Sequence, residues 1–385
     1  MWSAEPAVKT ESEMGTEVTK VAEAVRRSRG ETMRTVTTRQ PIRGRSAWHP
    51  NDFKTPAAYS VTLNNAHFKA FDAALVANRQ AGRKTEDIMC ADFLLDAITA
   101  DVAAWRDEVM MGRGFVMLDR FPTDHYSLDD LGMIFYGLGT HFGRAVSQSS
   151  MGDRLGHVTD VGGRDRRERA YRNSRELTLH TDRCDLVAML CVRQAMSGGV
   201  SGYSSAHTIY NEMLATRPEL VEPLFNGFQY HRRGEQLPGE PIVTPERVPV
   251  LSECGGALST AYIRSYIEMA ANEQGTPLSD LEVAALDYFD EMSNRDDVKL
   301  TFMMEPGQAI FFNNCMLLHN RTNFDDYDDP ARKRLLLRLW LMLDGMRTLA
   351  PAVQAYKGTE GIQPHEGNST YYRGSAFGRG GSIGA

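Results

Sequence analysis

Leu177-Thr178-Leu179-His180-Thr181-Asp182 alternates apolar and polar residues, the pattern of a β-strand with one buried face. Residues two apart on a strand point to the same side. His180 and Asp182 would then aim an imidazole and a carboxylate at one point. A second histidine from another strand would complete a 2-His-1-carboxylate set, whose open coordination positions mark non-haem Fe(II) oxygenases. A His-x-Asp pair alone is more often a plain surface pair than a metal site, so the weight falls on what the rest of the chain supplies.

Downstream, Val187–Gln194 is apolar enough for a buried strand. Ser197-Gly198-Gly199-Val200-Ser201-Gly202 is a tight turn leading to Tyr203-Ser204-Ser205. Thr208–Ala215 has helical spacing, and Arg217-Pro218 ends it. Residues 223–262 read as short strands broken by Pro and Gly. Ser265–Glu273 and Ser279–Glu291 read as helices, Val298–Met304 as a strand. Gln308–Leu318 is apolar around Asn313-Asn314 and runs into His319. After a polar excursion the chain enters Arg334-Leu335-Leu336-Leu337-Arg338-Leu339-Trp340-Leu341. A strand apolar on both faces is a buried strand. Arg334 and Arg338 are four apart and share a face. A buried guanidinium is costly without an anion, and Arg suits bidentate carboxylate binding. The plain alternative is an internal ion pair with Asp or Glu.

Upstream, Asn64–Ala77 has helical spacing. Ala91–Met111 reads as a stronger helix with Leu94, Leu95, Ile98, Val102, Trp105 and Val109 on one stripe. Phe115–Leu118 is a buried strand, and Ser127 caps a helix over Leu128–His141. Gly152–Arg175 is loop-like. Helices first, then short strands with turn signals, fit an α+β chain built as a β-sandwich or jelly roll backed by helices, not alternating βαβ units. Neither GxGxxG after a strand nor GxxxxGK[ST] occurs.

The 385 residues carry a net charge of −7, with 42% hydrophobic and 24% charged residues. That is a globular composition and argues against a dedicated nucleic-acid binder. The chain offers no run of 18 apolar residues and no apolar segment of signal type at its start, so no membrane partner is expected. Cys90, Cys184, Cys191, Cys254 and Cys315 are widely spaced without CxxC, which suits free thiols in a reducing cytoplasm. A homo-oligomer is compatible with all of this. Residues 1–46 read as a flexible tail. Seven arginines between Arg26 and Arg45 face only Glu31, and Val18, Val21, Ala22 and Val25 would make one short amphipathic helix. A solvated tail is the plain reading, a partner- or membrane-binding arm the other. The catalytic domain is expected over 47–349, beginning near Trp48-His49-Pro50, and 350–385 reads as a second tail.

His-x-Asp, a distal His and an Arg opening the next strand are together the parts of an Fe(II)/2-oxoglutarate dioxygenase. The chain resembles the taurine dioxygenase (TauD/TfdA) family of the clavaminate-synthase-like superfamily through GRGFVMLDRFP, LTLHTDRCD, SGGVSGYSS, EPGQAIFFNN, LLHNRTNFDD and RLLLRLWL, in that order from about Trp48 to Leu343. The resemblance implies a double-stranded β-helix, or jelly roll. It implies Fe(II), 2-oxoglutarate and O2 as cofactor and cosubstrates, and succinate and CO2 as products of the oxidation of a small molecule's C–H bond, most simply by hydroxylation. By the same resemblance His180, Asp182 and His319 ligate iron and Arg334 binds the distal carboxylate of 2-oxoglutarate. Ser201 adds a hydroxyl to a cosubstrate carboxylate, and Arg338 meets a substrate or cosubstrate anion. Asn320 replaces a Gly common after the distal His, and Val200 replaces an acidic residue. Neither change removes a ligand. Glu176, Arg172, Arg183, Asn313 and Asn314 flank the ligand strands; Glu176 and Asn314 are taken as substrate contacts. The competing readings are a zinc-type hydrolase or lyase with a comparable triad, and a jelly-roll binding protein without turnover.

Overall fold

Two β-sheets share one layer of apolar side chains, and helices cover the outer face of each. The structure, a computed structural model, describes residues 39–160, 173–345 and 347–364. In chain order its strands are β1 (Ser60–Thr62), β2 (Phe115–Asp119), β3 (Arg144–Val146), β4 (Leu155–Val158), β5 (Leu177–His180), β6 (Leu186–Arg193), β7 (Ser197–Gly198) and β8 (Ser201–Ser205). There follow β9 (Leu251–Cys254), β10 (Ala257–Thr260), β11 (Lys299–Phe302), β12 (Ala309–Asn313), β13 (Leu317–Arg321), β14 (Phe324–Asp325) and β15 (Leu335–Met342). The larger sheet has the order β1-β2-β12-β6-β15-β3, with β4 also on β15; the smaller is β11-β8-β13-β5. Only the β1–β2 pair is parallel in these two sheets.

The period-2 alternation of the strands sets the layers. Phe115, Met117, Val187, Cys191, Ile310, Phe312, Leu336 and Trp340 point inward, where they meet Tyr203, Leu300 and Leu317 of the smaller sheet. The intervening Val116, Leu118, Leu186, Ala188, Leu190, Phe311, Leu337 and Leu339 point outward. Helices α1 (Asn65–Gln80), α2 (Thr99–Met110) and α3 (Leu128–Thr140) cover them. Leu179 and Leu318 do the same for the smaller sheet, under α4 (Ala206–Thr216), α5 (Val221–Asn226), α6 (Arg264–Gln274), α7 (Asp280–Asn294) and α8 (Pro351–Lys357). At about 1.5–3 kcal/mol for each fully buried large apolar side chain, β15 alone is a major contributor. That double burial explains a hydrophobic run that only Arg338 interrupts.

Two helical glycines show how tightly the outer layer sits. A Cβ at Gly137 would lie 2.3 Å from the Phe93 ring, and one at Gly139 2.4 Å from Leu339 Cδ1. The helix accepts the roughly 1 kcal/mol that glycine costs relative to alanine because nothing larger lets α3 reach the sheet. Its start is capped as expected, with Ser127 Oγ accepting from the Asp130 N–H at 3.1 Å.

Several elements differ from expectation. The helix expected over 91–111 starts only at Thr99, after a 3-10 turn at Asp96–Ile98, and Leu94 is 59% exposed. Asp92 explains the delay: its carboxylate accepts from the Met89 N–H and its carbonyl from Asn78 Nδ2, which fixes a turn there. The 152–175 loop contains β4. The 223–262 stretch overlaps the end of α5 before its strands begin. The Gln308–Leu318 run is two strands that reverse at Asn313-Asn314. Asn313 Oδ1 accepts from the Cys315 N–H within that turn.

The expected tails are shorter than 1–46 and 350–385. The compact unit runs from Pro41, where Asn211 holds both the N–H and the carbonyl of Ile42. At the other end α8 buries Val353, Tyr356 and Lys357. The expected helix with Val18, Val21, Ala22 and Val25 lies outside the described residues, as do Arg172 and residues 365–385. No described helix is long and apolar enough to cross a membrane. All five cysteines are free thiols.

Candidate metal centre and cosubstrate pocket

Strands β5 and β13 pair antiparallel with His180 directly opposite His319. Cross-strand partners on one face are close neighbours, and the two imidazole centroids are 4.3 Å apart. The register thus brings together two histidines separated by 139 positions in sequence. Asp182 arrives differently from expectation. Strand β5 stops at His180, because Thr181 leaves the sheet to exchange two 2.8 Å hydrogen bonds with Tyr262. Asn314 then holds the departing chain. Its Oδ1 accepts from the Asp182 N–H at 2.9 Å, and its Nδ2 donates to the carbonyls of Asp182 and Cys184 at 2.6 and 2.8 Å. The Asp182 carboxylate ends 3.9 Å from His180 Nε2 and 3.7 Å from His319 Nε2. One donor atom from each residue lies within 4.8 Å of the others.

The protonation of this group suits a cation. His180 Nδ1 faces the Thr178 carbonyl at 2.8 Å, so Nδ1 carries the proton and Nε2 keeps its lone pair. Burial, and next the His180 imidazole beside it, push His319 down to about 3. Two imidazoles and one carboxylate form a donor set that fits a divalent first-row metal. Trp340 Nε1 donates to Asp182 Oδ2 at 2.9 Å, which orients the carboxylate from behind.

Arg338 reaches the same carboxylate, with Nη1 3.6 Å from Asp182 Oδ2. Gln148, fully buried, secures it twice: Oε1 accepts from Arg338 Nε at 2.7 Å, and Nε2 donates to the Arg338 carbonyl at 2.8 Å. Gly156 makes room for this, since a Cβ there would lie 2.9 Å from Gln148 Oε1.

Arg334 is buried on the same side of β15 but at its start. Its guanidinium carbon lies 5.1 Å from the centre of the Phe324 ring, and burial lowers its pKa. Its Nη1 has no hydrogen-bond partner, and among the described residues no carboxylate is ion-paired with it. Gly199 (φ +79°) packs against it, where a Cβ would be 3.3 Å from Arg334 Nε. Ser201 is buried two residues before Tyr203 on β8, and burial pushes the Tyr203 phenol up.

A second buried guanidinium, Arg321, lies 4.7 Å from the same Phe324 ring. It donates to the carbonyls of Asn173 and Arg175, and its Nη1 has no partner. Burial, then the Arg334 charge, bring its pKa down to about 9.

His180, Asp182, His319, Arg338, Arg334 and Ser201 therefore all lie between the sheets. Asn314, expected as a substrate contact, spends its amide on the Asp182 and Cys184 backbone. Glu176 is exposed at the head of β5. Arg183 Nε donates to the Tyr356 carbonyl. Asn320 stands beside His319 on β13 and so points to the opposite face, over Gly202. Sequence reasoning missed Gln148, Trp340 and Arg321. The parity of Arg321 with His319, and of Trp340 with Arg338, was the available signal; Gln148 had none.

Comparison with known proteins gives the same picture. The model of the family described as "Taurine catabolism dioxygenase TauD, TfdA family" matches residues 79–340. The FR-33289 synthase of Streptomyces rubellomurinus is 28% identical over 326 residues, 83% of this chain and 95% of that protein. A uridine-5'-phosphate dioxygenase of Streptomyces sp. is 33% identical over 156 residues, 39% of this chain and 53% of that protein. Among solved structures, asparagine oxygenase in complex with Fe(II), hydroxyasparagine and succinate superposes with a TM-score of 0.56. It is 16% identical and covers 80% of this chain and 99% of its own.

Proposed function

From the premise that the chain belongs to the taurine catabolism dioxygenase TauD, TfdA family, we propose that His180, Asp182 and His319 hold its iron and that Arg334 receives the distal carboxylate of 2-oxoglutarate. The protein is an Fe(II)/2-oxoglutarate-dependent dioxygenase that oxidises a small organic molecule. The two facing sheets are read as the halves of a double-stranded β-helix, and the catalytic domain as running past 47–349 at both ends.

With iron, 2-oxoglutarate and O2 bound, the centre supplies oxidation of a substrate C–H bond with release of succinate and CO2. The chain's own residues bind and orient. His180 and His319 present their Nε2 atoms toward the Asp182 carboxylate. Trp340 fixes which Asp182 oxygen turns toward the metal. Arg334 offers a charged fork for a carboxylate, and Ser201 a hydroxyl beside it. Phe312, Tyr203, Leu317 and Phe324 keep water from these polar groups. Arg338, steadied by Gln148, meets an anionic group of the substrate or cosubstrate. A relative named for uridine-5'-phosphate is consistent with a small anionic substrate, and a net charge of −7 disfavours nucleic acid. Five free thiols support a reducing, cytoplasmic setting.

The observation that carries this reading is the buried guanidinium of Arg334, on the same inner face as the donor triad and with no ion-paired carboxylate among the described residues. A zinc hydrolase has no use for it, and neither the hydrolase nor the non-catalytic reading is favoured. Titrating metal-free protein anaerobically with Fe(II) and 2-oxoglutarate tests it. A visible metal-to-ligand charge-transfer band should form, vanish in His180→Ala, and require far more 2-oxoglutarate in Arg334→Ala. Absence of the band in the wild type would overturn the assignment.

A further inference from the structure

Five residues join β5 to β6, and the last four of them, Asp182 to Asp185, carry the carboxylate ligand. Asn314 holds the first and third of these four, through the Asp182 N–H and carbonyl and the Cys184 carbonyl. The second and fourth are held from elsewhere. Arg183 Nε donates to the Tyr356 carbonyl at 3.0 Å, and its guanidinium carbon stands 5.1 Å from the centre of the Tyr356 ring. Lys357 Nζ donates to Asp185 Oδ1 at 2.5 Å. Tyr356 and Lys357 are the last two residues of α8, more than 170 positions after the loop they grip.

Lys357 is 3% exposed. A charge that deep requires an anion, and Asp185 supplies it. Asp185 is tied down in turn: Oδ2 accepts from the Leu343 N–H at 2.8 Å, its N–H donates to the Leu341 carbonyl, and its own carbonyl accepts from the Asn314 N–H. Lys357 Nζ also lies 3.4 Å from Cys315 Sγ, next to Asn314. The lysine thus touches both the ligand loop and the turn that braces it.

We propose that α8 is a positioning clamp for the ligand loop, with Lys357 as its pin, so that metal affinity depends on a residue that never meets the metal. The inference rests on the triad reading. Groups that orient metal ligands from behind commonly change affinity 10- to 100-fold when removed, and the clamp falls in that class.

The test uses the full chain and Co(II) as an optical probe of the site, under anaerobic conditions. Lys357→Met keeps the stem and removes the charge. Asp185→Asn keeps an acceptor and weakens the grip should the first variant not fold. Leu224→Ala, in the core beneath the smaller sheet, is a control that lowers the unfolding temperature without approaching the loop. The expected result is Co(II) affinity about 10-fold or more weaker in Lys357→Met, and in Asp185→Asn in the same direction. Leu224→Ala should stay within about twofold of wild type at an equal or larger drop in unfolding temperature. If the clamp variants bind Co(II) like Leu224→Ala, α8 is only structural and the inference is overturned. If wild type itself binds no Co(II) at His180, the triad reading falls, and this inference with it.

Discussion

The Asp182 carboxylate meets a cation at ion-pair distance within the chain; among the described residues the Arg334 guanidinium meets no carboxylate that closely. The Asp182 carboxylate has the Trp340 N–H at 2.9 Å and Arg338 at 3.6 Å, and Asn314 fixes its backbone. Four residues back along β15, about 13 Å at 3.3 Å per residue, Arg334 and Arg321 flank one phenyl ring with no ion-paired carboxylate among the described residues. The first cluster is assembled in advance for a cation that adds to an existing network. The second carries buried positive charge that Asp326, near Arg334, and Asp160, near Arg321, offset only in part and without a direct ion pair among the described residues, and an incoming carboxylate would pair with it directly. The asymmetry suits an enzyme whose metal stays between turnovers while its 2-oxo acid is replaced at each one.

The sharpest way to break the comparison is at its acidic end. Asp182→Ala removes the one anionic donor and leaves the Trp340 N–H and Arg338 facing the two imidazoles. Metal affinity should fall by about 100-fold or more, measured by anaerobic Fe(II) titration with 2-oxoglutarate present. A loss of less than about tenfold would mean that Asp182 is not a ligand.

The basic end predicts something less usual. Arg334→Met should weaken 2-oxoglutarate binding by about 100-fold, from the loss of a charge-assisted carboxylate contact of about 1.5–3 kcal/mol. The same variant, free of cosubstrate, should be more heat-stable than wild type, because apolar replacement of a poorly compensated buried ion commonly stabilises by about 1–4 kcal/mol. Calorimetric unfolding without cosubstrate decides it: a lower unfolding temperature would show that Arg334 already has an internal counter-charge.

The two ends were not equally legible in the sequence. His180, Asp182 and His319 could be named because strand alternation and the motif order both point to them, and Arg334 and Arg338 because charges inside an apolar run are conspicuous. Strand register was not legible, and register is what sets His180 against His319. Asp182 was expected on the strand, yet Thr181 leaves the sheet for Tyr262, a partner 81 positions away that no local pattern announces. The α8 helix carried local signals, Pro351 at its first position and Gly358 (φ +69°) after its last. They were outweighed by the Gly- and Ser-rich composition around them. What burial does to Lys357 depends on Asp185, and that pairing exists only in three dimensions.

A buried basic group that belongs to neither cluster, His207, sharpens the contrast further because the fold keeps it neutral. His207 is buried in α4 with Nε2 at 3.0 Å from the Leu258 carbonyl and Nδ1 at 2.8 Å from Ser46 Oγ. The carbonyl can only accept, so Nε2 carries the proton and Nδ1 accepts from the serine hydroxyl. Protonation would cost that second bond and bury a charge, and burial accordingly lowers the pKa from 6.5 to about 4. The unfolded chain binds the proton below its ordinary pKa while the folded chain does not, so stability falls as pH drops from about 6.5 to about 4 and levels off below that. A shift of this size corresponds to about 3 kcal/mol at most. His319 is depressed in the same sense, so the wild-type slope alone does not isolate His207. The difference between wild type and His207→Gln in denaturant unfolding free energy, followed from pH 7 to pH 4, does. The variant should begin less stable and lose less, the two curves converging toward pH 4. Parallel curves would mean that His207 titrates normally in the folded protein, and that this fold tolerates uncompensated buried cations more widely than the Arg334 end alone suggests.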